Sequence, residues 1–151
     1  MLRYMIKHIE SCVVEEARVL GLNTHPKPWW ASIFGLGKAR YFAFFGKVYV
    51  HELNAFQPKA LLAHEGYHLL RQRQVGQWNW LANYIFSTEF RLQEECKAIA
   101  VEIELTANPE EQSELFRKYV SALSTKEYWY AAESWVEASA ELMKYLQIVE
   151  V

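Results

Sequence analysis

His64, Glu65 and His68 stand in the order H-E-x-x-H within "ALLAHEGYHLLRQRQ", residues 60–74. Positions i and i+4 share a face of a helix, so the two imidazoles reach toward one point and can hold a single divalent ion. Zinc is the expected occupant: it favours neutral imidazole nitrogen and, with three protein ligands, keeps a fourth position for water. Glu65 lies about 100° round the helix from His64. That sets it beside the water rather than on the metal, in the position of a general base. The expectation is one Zn²⁺ per chain. Gly66, in mid-helix, costs about 1 kcal/mol relative to alanine and predicts that another element packs close.

A third ligand is required, and the composition narrows it. The chain has no aspartate, and all 18 acidic residues are glutamates. His8, His25 and His51 precede the motif, so the downstream candidates are glutamates in "RLQEECKAIAVE". Glu95 shares a helical stripe with Arg91, Ala98 and Glu102, where the alanine permits close approach to the motif helix. Glu94 competes from a stripe with Phe90, Lys97 and Val101, a mixed surface less suited to a metal pocket, although Ala98 is also four residues from it. Donors for a developing oxyanion are sought among His51, Arg71, Tyr84, Tyr128 and Tyr130. Cys96 points roughly 100° away from Glu95 and reads as a small buried hydrophobe.

"HEGYH", followed 27 residues after its second histidine by "ECKA", resembles the gluzincin metallopeptidases, whose third ligand is a glutamate in an E-x-x-A context on the next helix. "LLAHEGYHLLRQRQVGQWNWLANY" also looks like the small minigluzincin-type domains of phage and bacteria. The likeness spans Val48 to Ala100, about a third of the chain. It implies His64, His68 and Glu95 as metal ligands, Glu65 as the base, a zincin-like fold, and hydrolysis of a peptide or protein substrate. Many gluzincins carry an aspartate four residues after the ligand glutamate to orient a ligand histidine, but Ile99 stands there, and Glu102 or a backbone carbonyl must take over. Two other readings stand beside this one: a non-catalytic zinc-binding interaction or structural protein, and a regulatory protease resembling the ImmA/IrrE group. Glu65 favours the enzymes, because a structural zinc gains nothing from a base beside it.

The elements that must position these residues can be read from periodicity and breakers. "YMIKHIESCVVEEARVL" predicts a first helix over Tyr4 to Leu20, stopped by Gly21. "NTHPKPWW" reads as a loop holding Trp29 and Trp30 against the core. "ARYFAFFGKVYVHE" predicts one or two strands about a tight turn at Gly46, with "KVYVHE" at the cleft rim, where its edge could take up an extended peptide. The motif helix should run from about Gln57 to Val75, between Pro58 and Gly76. "WNWLANYIF" reads as a short buried helix or a packed connection, and Thr88 as the cap of the helix carrying Glu95. Asn108 and Pro109 start another helix, and Ser124 with Glu127 forms a capping box for the last.

The fold class expected is α+β: one mostly helical domain, residues 1–151, with a small sheet preceding the motif helix. At 151 residues a chain buries roughly two thirds of its unfolded surface and needs no staple. Sixteen basic against 18 acidic residues give a formal charge of −2, without the clustered basic excess that nucleic acid requires. No apolar run approaches the ~20 residues of a membrane span, and "MLRYMIKHIESCVV" is broken by Lys7, His8, Glu10 and Ser11 before a signal sequence can form. Cys12 and Cys96 lack metal-type spacing and read as reduced thiols. A cytoplasmic protein is expected.

Overall fold

The computed structural model describes residues 24–26, 28–29, 41–50, 59–128 and 130–146. Three short strands, β1 (Thr24–Pro26), β2 (Tyr41–Phe44) and β3 (Lys47–Val50), form a sheet in the order β1-β3-β2. β3 runs parallel to β1 and antiparallel to β2. Five helices follow: α1 (Lys59–Val75), α2 (Gln77–Phe86), α3 (Thr88–Leu105), α4 (Pro109–Leu123) and α5 (Trp135–Leu146), with a 3₁₀ turn at Lys126–Tyr128. This is the expected α+β arrangement, mostly helical, with the sheet ahead of the motif helix. No helix among the described residues is long and apolar enough to cross a membrane.

β2 and β3 are joined by a two-residue turn, with Phe44 opposite Lys47. Phe45 and Gly46 both have positive φ, 49° and 76°. That turn shape matches the twist of paired strands but is costly for any residue with a Cβ at its first position. Packing compensates at Phe45: its ring meets Trp78 edge-on at 4.9 Å, and its amide donates to Gln72 Oε1 at 3.1 Å. Because β3 is flanked on both sides, its ladder is already satisfied, and the expectation that "KVYV" offers an edge to a peptide is corrected.

The helix boundaries follow their caps. α1 ends at Val75 because Gly76 takes φ 88°. Ser87, one residue before the predicted Thr88, caps α3 by accepting from the Phe90 amide at 3.2 Å. Asn108 caps α4 with Pro109 in its first turn, as expected. The last helix starts later than predicted. Ser124 ends α4 instead, Tyr130 turns to φ 51°, and a second S-x-x-E, Ser134 with Glu137, forms the cap. Glu137 reaches back to the Glu133 amide at 2.6 Å.

Two further expectations change. "NTHPKPWW" contributes β1 rather than only loop, and Trp29 is 81% exposed. α2 is not buried all round: Trp80 is buried, whereas Trp78 and Phe86 are 72% and 87% exposed. The predicted helix over Tyr4 to Leu20, Gly21, and residues Trp30, His51, Gln57 and Pro58 lie outside the described residues.

α3 is the central element, packed by α1, α2, α4 and α5. One side joins the main apolar cluster, in which Leu92, Cys96, Ile99, Ala100 and Ile103 meet Val120, Leu123, Ala138 and Leu142. Another side crosses α1, where Ala63 and Tyr67 meet Ala98 and Val101. The two alanines make the close approach that Gly66 led us to expect. Gly66 is only half-buried, on the side of α1 away from His64. The sheet packs on α1, with Leu69 against Ala43 and Val48.

Candidate metal centre

The α1–α3 crossing brings His64, His68 and Glu95 together, all buried, each with a potential ligand atom within 4.8 Å of the others. His64 Nε2 lies 3.7 Å from Glu95 Oε2, and His68 Nε2 lies 3.5 Å from Glu95 Oε1. Ligands on a tetrahedral ion at ~2.1 Å stand roughly 3.4 Å apart, so the three side chains need only small adjustments to share one. Their ring geometry agrees: the two imidazole centroids are 5.1 Å apart, on successive turns of one face.

The surroundings of each group differ in kind. His64 Nδ1 is 3.0 Å from Glu102 Oε2, and Tyr119 donates to that same oxygen at 2.7 Å. The Tyr119 ring also lies nearly parallel to that of His64, at 6.1 Å between centroids. Tyr84 donates its hydroxyl to Glu95 Oε1. His68 packs edge-on against Trp80 at 5.7 Å, and its Nδ1 is buried without a hydrogen-bond partner among the described residues. Glu65 is buried, with Oε2 likewise unpartnered among the described residues.

Electrostatics sort the carboxylates. Burial pushes Glu65 upward, and the charges of His64 and His68 only partly oppose it, so its carboxyl sits above the ordinary range. Burial also pushes Glu95 upward, but the charge of His68 and hydrogen bonds to both histidines outweigh it and hold that carboxyl well below the usual range. Glu102 is lowered in the same way, chiefly by its hydrogen bond to His64. Burial alone would lower His64. Hydrogen bonds to Glu102 and Glu95, with the charge on Glu65, overcome that and hold the imidazole up at about 10.

Glu94, the rival third ligand, stays outside this group. It is buried rather than part of a mixed surface, because Arg71 Nε donates to both its oxygens at 3.0 and 3.1 Å and Trp80 Nε1 donates at 3.0 Å. Ile99, one turn past Glu95 on α3, is fully buried in the main apolar cluster. Cys96 is a free thiol in the same cluster, its proton held more tightly by burial. Comparison with known protein families, curated proteins and solved structures gave no match.

Of the oxyanion candidates, Tyr84 reaches the centre. Tyr128 lies within electrostatic range, its hydroxyl pushed up by burial and the charge on Glu95. Tyr130 is 61% exposed and Arg71 is held by Glu94. Sequence reasoning missed Tyr119, Trp80 and Gln72. The first two looked like ordinary core aromatics. Gln72 sat in a polar run, yet it is buried and spans to the hairpin, donating to the Ala43 carbonyl at 3.0 Å.

Proposed function

We propose that this chain is a zinc-dependent metallopeptidase of gluzincin type, with His64, His68 and Glu95 as metal ligands and Glu65 as general base. The observation that carries the reading is Glu65 itself: a buried carboxylate with one oxygen unpartnered among the described residues, beside three converging side chains that could hold a metal ion. The donor set fits the group, since two imidazoles and a carboxylate are the ligands of an open zinc site. A divalent ion held there supplies a Lewis acid that acidifies water and polarises a carbonyl.

The chain's own residues do the rest. Glu102 holds the proton on His64 Nδ1, which turns Nε2 toward the centre as a lone-pair donor. Glu65, its affinity for a proton raised by burial, accepts one from water and returns it to the departing amine of a cleaved peptide. Tyr128 stands near the site as a donor toward the carbonyl oxygen. The free thiol of Cys96 supports a cytoplasmic setting.

A second reading, a non-catalytic zinc centre that ties α1 to α3, is favoured by one observation: His64, Glu65, His68 and Glu95 are each no more than 6% exposed. Glu65→Gln separates the two. Its size is kept and no ligand is lost, so the metal content should stay at one per chain and the thermal midpoint should barely move. Peptide hydrolysis, screened on a broad peptide library, should fall by about 10²–10⁴-fold. Equal activity of zinc-loaded wild type and variant would hand the site to the structural reading.

A further inference from the structure

Two aromatic residues one turn apart on α2 meet two adjacent glutamates on α3. Trp80 Nε1 donates to Glu94, and Tyr84 donates to Glu95 Oε1. Glu94 is thereby committed, with Arg71, to a buried ion pair. Glu95 directs Oε2 at His64 Nε2, 3.7 Å away, while Oε1, 3.5 Å from His68 Nε2, accepts the hydrogen bond from the Tyr84 hydroxyl. Tyr84 is itself held in place: its ring stacks on Trp80 at 4.6 Å, and Arg91 binds its carbonyl oxygen at 2.6 Å.

On the reading of Glu95 as a metal ligand, we propose that Tyr84 is a positioning residue that restricts Glu95 to one-oxygen coordination. A carboxylate can grip an ion with both oxygens, and a tetrahedral site that must keep one position for water cannot allow it. The hydroxyl of Tyr84 draws charge from Oε1 and fixes the rotation of the carboxylate. Oε2 is left as the ligand atom and the fourth position stays open. The arrangement gives a role to an aromatic residue in a segment that otherwise looks like packing.

The test uses Co²⁺ as the probe, because its visible absorption is intense when four-coordinate and weak at higher coordination. Titration of the unmutated chain should show one equivalent bound with an intense spectrum. Tyr84→Phe keeps the ring and its stack on Trp80 and removes only the hydroxyl. It should bind Co²⁺ about 10–100-fold more weakly, with visible bands weakened at saturation as Glu95 turns to use both oxygens. Thermal melting of the metal-free proteins checks that the variant folds. If it does not, infrared difference spectra of the unmutated chain, zinc-loaded minus metal-free, with Glu95 bands assigned by subtracting metal-free Glu95→Gln from the metal-free unmutated chain, give the carboxylate stretching frequencies. A wide separation supports one-oxygen coordination, and a narrow one overturns it. A Tyr84→Phe spectrum that superposes on the unmutated one at saturation also overturns the proposal, whatever the affinity. An unmutated chain that takes up no Co²⁺ removes the metal-centre reading, and this proposal with it.

Discussion

His64 Nδ1 and Glu102 Oε2 lie 3.0 Å apart, across the crossing of α1 and α3. Glu102 stands seven residues after Glu95, two turns along the same stripe, and on the metal-centre reading proposed above it would orient His64, the part an aspartate at position 99 would play on the gluzincin pattern. Its oxygen also accepts from Tyr119, so α4 buttresses the contact. Glu102→Ala should weaken zinc binding by about 10–100-fold, read by competition with a chromophoric chelator. An unchanged affinity would show that the carboxylate does not tune His64.

Ile99→Asp tests the same point from the other side. The side chain at 99 is fully buried in the apolar cluster that includes Leu92, Ala100, Val120 and Leu142. The substitution should destabilise the chain by more than about 3 kcal/mol without strengthening metal binding. Chemical denaturation measures this, and a neutral effect would mean that position 99 can turn to the site.

Glu94 and Glu95 should separate cleanly. Glu95→Gln should abolish tight zinc binding. Glu94→Gln should leave one zinc per chain but lower stability by about 1–3 kcal/mol, because Arg71 and Trp80 lose a charged acceptor. Loss of zinc from the Glu94 variant, with full binding by the Glu95 variant, would reverse the assignment.

Metal binding should release a proton near neutral pH. In the metal-free chain His64 is held at about 10 by its carboxylate neighbours, so at pH 7 it carries a proton that an ion must displace. Apparent affinity should therefore rise with pH, by up to ~10-fold per unit for one proton released. Calorimetry in buffers of differing ionisation enthalpy counts that proton. A count of zero would contradict a protonated His64.

The start of α5 has its own test. Ser134→Ala should cost about 1 kcal/mol as a lost cap, whereas Ser124→Ala should be nearly silent. Reversed magnitudes in thermal melts would restore the earlier start.

What could be read from the sequence was local chemistry with a fixed period. His64, Glu65 and His68 are set by one helix, and the stripe through Glu95, Ala98 and Glu102 follows from helical geometry alone. Gly76 and the Asn108-Pro109 pair stopped and started helices where expected. What could not be read depended on partners distant in the chain. Two S-x-x-E patterns look alike until the left-handed turn at Tyr130 makes the second the cap. The central place of β3 depends on β1, a strand of three residues that contains a proline. Glu94 read as part of a mixed surface because its partners, Arg71 and Trp80, come from two other helices.

Gln72 lies one helical turn past His68, and both ends of its amide are bound to the β2–β3 hairpin, at the Ala43 carbonyl and the Phe45 amide. The hairpin and the turn of α1 that carries His68 and Gln72 are therefore expected to open together, although they are far apart in sequence. Solvent exchange at the Phe45 amide becomes a reporter of that turn. It should slow in step with α1 when an ion is bound, while the exposed end of the hairpin at Lys47 continues to exchange at its own rate.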